Sequence, residues 1–261
     1  MTDRRQRQKE QRAQKREQEK KRDRRRELRR RLTTGIILAV IAIGVLILTT
    51  TDFSSGDLPS GYQGFRNQPT ACGAEQPPPL TPMSFETPVA QTDITPSSRV
   101  TATVVTSCGT MVIELDPEGF PATANSFVFL AREGFFDGQV WFRVSENFRA
   151  HSGDPNADGT GGPGYIIPDE RPPSDFDYVE GVVAMDNRGS RSTGSQFFVV
   201  IGDDGRVLTP SFNVLGRVIS GEDTLTRIEE VPRRVPPGSN ERSLPTETIY
   251  IESVTIEVSG G

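Results

Sequence analysis

The sequence predicts a mainly β fold: a closed eight-stranded antiparallel β-barrel with two helices, preceded by a single transmembrane helix. Residues 99–258 contain about eight short runs of β-branched and aromatic residues, separated by glycine-containing turns and two amphipathic stretches. That many strands in so short a domain favours closure into a barrel, because closure leaves no strand edge exposed. Residues 32–51 form one uninterrupted uncharged run, which predicts the membrane-spanning helix.

The first 31 residues are strongly basic. They carry 16 Lys or Arg and 6 Asp or Glu, a net charge of +10. Such a segment cannot bury enough surface to fold alone, so we expect a solvated cytoplasmic tail, with binding to nucleic acid or anionic lipid as the alternative. The whole chain carries −5, which leaves −15 for residues 32–261 and argues against a nucleic-acid partner for that part.

The apolar run at residues 32–51 is 20 residues long and contains no charged side chain. At about 1.5 Å per residue, a helix of this length spans the roughly 30 Å of bilayer hydrocarbon. A cleaved signal peptide is the competing interpretation, but its basic region would be unusually long and no Ala-x-Ala site follows. We therefore expect an uncleaved signal anchor of a single-pass cell-membrane protein. The basic flank would be cytoplasmic, and everything after Asp52 would lie outside.

Residues 52–98 are predicted to be a proline-rich extracytoplasmic linker. The segment holds eight prolines with Gly and Ser between them, and such a chain is extended and semi-rigid. It would hold the following domain away from the membrane. The sequence leaves open whether the part nearer the domain packs along it instead.

The two cysteines are Cys72 in the linker and Cys108 at the start of the domain. Both lie beyond the predicted membrane span, where an oxidising compartment permits one disulfide bond between them. The alternative is two unpaired thiols, with Cys108 buried in a strand. Neither cysteine has a histidine nearby in the sequence, which argues against a thiol catalyst.

The elements of the domain follow one another in a regular order. Residues 100–106 alternate β-branched side chains, and residues 111–115 return as a second strand after the turn at Gly109. Pro121 suits the first turn of a helix that stops before Gly134. A second helix is predicted at 222–230, and further strands at 140–144, 165–167, 181–185, 196–201, 213–219 and 249–258.

The central motif spans residues 181–202 and reads GVVAMDNRGSRSTGSQFFVVIG. Two apolar runs flank a polar loop that contains Gly189 and Gly194, so we predict two strands joined by an irregular loop. In the second strand Gln196 and Phe198 share one face. A polar side chain beside an aromatic one suits a groove better than a core.

This motif resembles the central signature of the cyclophilin-type peptidyl-prolyl isomerases, without a gap over residues 181–198. Upstream, residues 141–143 read WFR and residues 151–154 read HSGD, with Phe148 between them, and this block resembles a second family signature. The resemblance covers roughly residues 99–258. It implies a barrel capped by a helix at each end, and an enzyme that accelerates rotation about X-Pro bonds in polypeptides without a cofactor.

The resemblance assigns roles to nine residues. Arg143 would donate a hydrogen bond to the prolyl nitrogen. His151, where the family usually has Gln, would support the arginine by accepting its hydrogen bond as a neutral imidazole. The substrate would be held by the proline-pocket residues Phe148, Met185, Phe198, Leu208 and Phe212, by Gln196 and by the backbone around Asn187. The alternative interpretation is a surface charge at Arg143 and aromatic side chains that belong only to the core.

Several positions depart from the family pattern. Arg149 takes a pocket-edge position that is normally apolar, and Asp186 and Arg188 stand where small residues are usual. Val207 and Phe212 replace a frequent Trp and a frequent His. These departures keep two functions open: an isomerase for exported or cell-envelope proteins, or a binding module that holds proline-containing segments with little turnover.

A metal site is not predicted. Residues 154–159 read DPNADG, which copies the first half of a calcium-binding loop, but the twelfth position is Tyr165 where Glu is required. One histidine and two distant cysteines offer no zinc spacing.

Overall fold

The computed structural model describes residues 60–260. The predicted tail at 1–31 and the predicted anchor at 32–51 lie outside the described residues. Within 60–260, no helix is both long and apolar enough to cross a membrane.

The described chain is mainly β, as the sequence predicts. Its helices are α1 (Ser60–Arg66), α2 (Pro121–Arg132) and α3 (Glu222–Glu230), with 3-10 turns at Ala71–Gly73 and Asp203–Val207. Its strands are β1 (Arg99–Thr106), β2 (Gly109–Leu115), β3 (Arg143–Ser145), β4 (Arg149–Ser152), β5 (Val182–Met185), β6 (Phe197–Val200), β7 (Val214–Ser220), β8 (Arg233–Arg234), β9 (Leu244–Pro245) and β10 (Ile251–Ser259).

Eight of these strands form one antiparallel sheet in the order β10-β1-β2-β7-β5-β6-β4-β3. The strands β8 and β9 pair separately. Within the described chain no ladder joins the end strands β3 and β10. The segments that precede them are linked by a single bridge between Val140 and Tyr250 and by backbone hydrogen bonds such as Trp141 N to Ile249 O. Complete closure into a barrel therefore stays a prediction.

The burial of the strands follows from their residue patterns. In β1 every second residue is buried, as its alternation predicts, whereas all four residues of β5 and all four of β6 are buried. The core lies between the sheet and α2, which buries Phe127 and Leu130. The first turn of α2 is capped by Glu170, whose carboxylate accepts hydrogen bonds from the backbone of Ala122 and Thr123.

One predicted strand is wrong, and three observed strands, β4, β8 and β9, were not predicted. Residues 165–167 lie in a loop, where the apolar side chain of Ile166 is 59% exposed. The strand β4 takes its place in the sheet, although its sequence, RAHS, has no apolar alternation. Pairing with β3 on one side and with β6 on the other makes β4 a strand.

The segment 60–98, within the predicted linker, packs against the domain. The Tyr62 hydroxyl is buried, donates to the carbonyl of Gly138 over 2.8 Å and accepts from the amide of Leu80. The structure joins Cys72 to Cys108 in a disulfide bond, with their Cα atoms 5.1 Å apart. Buried aromatic side chains and the disulfide bond hold this segment against the surface of the domain. Of the two alternatives that the sequence leaves open for this segment, the structure therefore shows packing along the domain.

Candidate active site

Three of the assigned residues lie in one row across neighbouring strands. Arg143 in β3 is directly opposite His151 in β4, and His151 is directly opposite Phe198 in β6. Opposite residues in antiparallel ladders project from the same face of a sheet. The ladder register therefore brings the two sequence motifs, which are far apart in the chain, into a single surface.

This surface borders a cavity of about 1170 Å³. Four of the assigned residues line it: Arg143, His151, Asn187 and Gln196. The Gln196 amide donates to the carbonyl of Gly161 over 2.7 Å, and the Asn187 amide donates to the carbonyl of Ser211 over 2.9 Å. Both amides are therefore held in fixed orientations at the cavity wall.

The loop that supplies Gly161 is organised by Asp154. This buried carboxylate accepts hydrogen bonds from the backbone amides of Asn156, Asp158, Gly159 and Gly161. The Asp154 carboxylate thus stabilises the turn, because it accepts hydrogen bonds from the amides of the loop in place of backbone carbonyl groups. The resemblance of this loop to a calcium site has this simpler cause, and no cluster of candidate metal ligands occurs among residues 60–260.

Four of the five residues assigned to the proline pocket lie together beside the cavity, around the aromatic rings of Phe148, Phe198 and Phe212. Phe198 is fully buried, and the Phe198 and Phe212 rings meet edge to face with centroids 5.3 Å apart. Leu208 is half-buried against the same group. The assignment of Met185 to the pocket is wrong: Met185 is opposite Phe197 in the β5–β6 ladder and lies in the main core, whereas Phe198 is opposite Ala184 and projects from the other face. None of the five, Phe148 included, lines the cavity described above.

The guanidinium of Arg149 lies within this aromatic group. Its central carbon is 4.7 Å from the ring centroid of Phe148, 4.9 Å from that of Phe198 and 5.7 Å from that of Phe212. Burial lowers the pKa of Arg149, and the charge of Arg143 lowers it further, against the opposing effect of Asp186 and Glu241. Among the described residues, its Nε and Nη1 atoms have no hydrogen-bond partner.

Arg143 forms an ion pair with Glu241. The distance from Nη2 to the Oε2 oxygen is 2.6 Å, and the two side chains are 40% and 41% exposed. The hydrogen bond expected from Arg143 to His151 is not formed, which corrects the sequence-based assignment of His151. A carboxylate is a stronger acceptor for a guanidinium than a neutral imidazole, so Glu241 takes the arginine.

His151 instead pairs with Asp186. The distance from its Nδ1 to the Asp186 Oδ2 is 3.2 Å, and only 2% of the His151 side chain is exposed. Burial lowers the pKa of His151, and the charges of Arg149 and Arg143 add to this effect, although Asp186 opposes it. The neutral imidazole therefore donates from Nδ1 to Asp186. Its buried Nε2 atom has no partner within residues 60–260.

A family model described as cyclophilin type peptidyl-prolyl cis-trans isomerase/CLD matches residues 101–256. The chain belongs to the cyclophilin family. All nine residues that the resemblance singles out fall within the matched range.

Curated relatives agree with this assignment. The chain is 35% identical over 181 residues to peptidyl-prolyl cis-trans isomerase A of Mycobacterium tuberculosis, which covers 62% of this chain and 94% of that protein. It is 32% identical over 177 residues to the probable peptidyl-prolyl cis-trans isomerase B of the same organism, with 62% of this chain covered. The match spans only 56% of the length of isomerase B.

A solved structure shares the fold. The Cryptosporidium parvum cyclophilin type peptidyl-prolyl cis-trans isomerase superposes with a TM-score of 0.55, covering 62% of this chain and 99% of that one, at 23% identity. A second structure of the same parasite protein was determined in the presence of the dipeptide Ala-Pro.

Relative to the family pattern, the structure adds two partners that sequence reasoning missed. Glu241 is 98 residues from Arg143 and lies in a loop rich in Ser and Pro, where no motif indicates a site. Asp186 was recognised only as an unusual charge, and its pairing with His151 depends on β6, which holds β5 on one side and β4 on the other. In this cyclophilin both catalytic candidates therefore have acidic partners.

Proposed function

We propose that this cyclophilin is a peptidyl-prolyl cis-trans isomerase acting on proline-containing polypeptides. The observation that carries the proposal is the position of Arg143, which lines the cavity and stands in one row with His151 and Phe198. A guanidinium donor beside an aromatic surface is the combination that rotation about a prolyl bond requires.

The chemistry needs no covalent step. A prolyl amide resists rotation, with a barrier of about 20 kcal/mol, because the nitrogen lone pair is delocalised into the carbonyl. Twisting the bond localises the lone pair on nitrogen. A donor aimed at that nitrogen stabilises the twisted state more than either planar state, which lowers the barrier. The forked, permanently charged guanidinium of Arg143 suits this role.

The remaining side chains hold the peptide. Gln196 and Asn187 present fixed polar groups on the cavity wall, where they would bind the peptide backbone. The aromatic group around Phe198 would hold the proline ring in an apolar environment while the carbonyl side turns. The proposal needs no metal or other cofactor.

Glu241 orients the donor without strongly restraining it. The pair with Arg143 is short, but both side chains are about 40% exposed. Exposed ion pairs contribute only about 0.2–1 kcal/mol, so Arg143 is able to leave Glu241 when a substrate nitrogen approaches.

We place the isomerase domain outside the cell membrane, tethered by the apolar segment 32–51, and expect exported or cell-envelope proteins as substrates. The uncharged run and its basic flank support this location. The disulfide between Cys72 and Cys108 supports it independently, because structural disulfides persist in oxidising compartments.

One observation favours a second function, a binding module with little turnover. The Arg149 guanidinium lies on the aromatic rings that a proline would contact. A protease-coupled assay with a prolyl tetrapeptide separates the two functions. The isomerase proposal predicts relaxation much faster than the uncatalysed tens to hundreds of seconds. Peptide binding without acceleration would establish the binding module instead.

A further inference from the structure

The open cavity stops short of the proline pocket. It reaches Arg143, His151 and Gln196, but it includes none of the pocket residues Phe148, Phe198, Leu208 and Phe212. Phe198, which would form the pocket floor, is 0% exposed. A side chain of the protein itself therefore covers the surface that a proline ring must touch.

That side chain is Arg149. Its guanidinium carbon stands 4.7 Å from the Phe148 centroid and 4.9 Å from the Phe198 centroid. Favourable contact between carbon atoms needs about 3.5–4.0 Å on each side, so a ring inserted between the guanidinium and Phe198 would need about 7 Å. The proline ring and the guanidinium cannot occupy this place together.

We propose that Arg149 is a gate on the proline pocket, which a proline ring enters only after the guanidinium has swung aside. This inference rests on the proposed isomerase function and concerns the regulation of the same site. The gate differs from a fixed wall because Arg149 is only half-buried and is held by ring stacking rather than by an ion pair within residues 60–260.

Two opposing effects make the gate movable. Stacking over aromatic faces stabilises the closed position. The closed position also leaves Nε and Nη1 buried without partners among the described residues, which costs free energy. Asp186 and Glu241 lie close enough for their charges to act on Arg149, and they offer the guanidinium partners once it has left the rings.

The gate should weaken substrate binding without slowing rotation of the bound peptide. When only a fraction of the protein is binding-competent, the apparent dissociation constant rises by the inverse of that fraction. An open fraction of about one in ten would raise KM about tenfold. Because Arg149 leaves the pocket before the chemistry, kcat should change little.

The test uses the full-length chain in mild detergent and a succinyl-Ala-Ala-Pro-Phe anilide as the substrate. Arg149→Met replaces the guanidinium by an apolar side chain, and Arg149→Ala leaves the pocket empty. In at least one of them KM should fall about tenfold, with kcat within about twofold of the parent. Arg227→Met, on the outer face of α3, is the matched control and should keep the parent KM. The gate is refuted if both Arg149 variants retain or raise the parent KM.

Calorimetric titration with the same peptide keeps the gate distinguishable from the proposed activity. If the parent and the variants all fail to accelerate isomerisation, the isomerase function is wrong. About tenfold tighter peptide binding by either Arg149 variant would still support the gate, whereas equal binding would overturn it.

Discussion

Removal of the guanidinium at position 143 should abolish most of the activity. Losing one donor to a developing charge typically costs about 100-fold or more in rate, or about 2.7 kcal/mol, so we expect at least this loss in kcat/KM for Arg143→Ala. Arg143→Lys should recover little, because an ammonium group lacks the planar fork. A protease-coupled prolyl-peptide assay measures both variants.

Removal of the charge on Glu241, the acidic partner of Arg143, should have a much smaller effect on activity than removal of the guanidinium. Because the side chains of Arg143 and Glu241 are 40% and 41% exposed, their pairing is worth at most about 1 kcal/mol, or about a fivefold change. Glu241→Gln should therefore alter kcat/KM by no more than about fivefold. Added salt should reduce the effect of Glu241 in the parent, since it screens an exposed pair.

Glu114→Gln is the matched control for Glu241→Gln. Glu114 forms an equally short 2.6 Å pair with Arg99, and both residues lie on β1 and β2, away from the site. This variant should keep full activity. The proposed mechanism is wrong if Arg143→Ala isomerises like the parent. An equal loss in Arg143→Ala and Glu241→Gln would contradict the assignment of Arg143 as the donor.

Three further predictions concern stability and location. The Cys72–Cys108 bridge has a sequence separation of 36, for which the loop-entropy model gives a stabilisation of about 4 kcal/mol. Reduction of the bridge should therefore lower the unfolding free energy by about this amount. Thiol labelling of the denatured, unreduced chain should detect no free cysteine. Burial lowers the pKa of His151, so only the unfolded chain takes up a proton as the pH falls below about 6.5. Urea unfolding should therefore show that the unfolding free energy declines as the pH falls from about 6.5 to the lowered pKa of His151 in the folded protein. The variant His151→Gln, which cannot titrate, should flatten this decline. Protease added to intact spheroplasts should release a fragment of the domain, and full protection would contradict the predicted topology of the anchor at 32–51.

The sequence predicted the parts of the fold that depend on local patterns. Alternating side chains located β1, and continuous apolar runs located β5 and β6. The strand β4 escaped prediction because RAHS has no periodic signal, and its conformation comes from pairing with β3 and β6. Local propensity is weak in such a segment, so tertiary pairing decides it.

The residues of the candidate site were identifiable because the two motifs are written in short, continuous stretches. From these the sequence alone indicated the cyclophilin family, which the family model confirms, whereas the donor role of Arg143 and the pocket roles of the aromatic residues stay predictions. The tertiary structure decided the partners: Glu241 for Arg143, Asp186 for His151, and the aromatic rings for Arg149. Charged side chains have long reach and many rotamers, so each adopts the position set by neighbours that only the folded chain brings together.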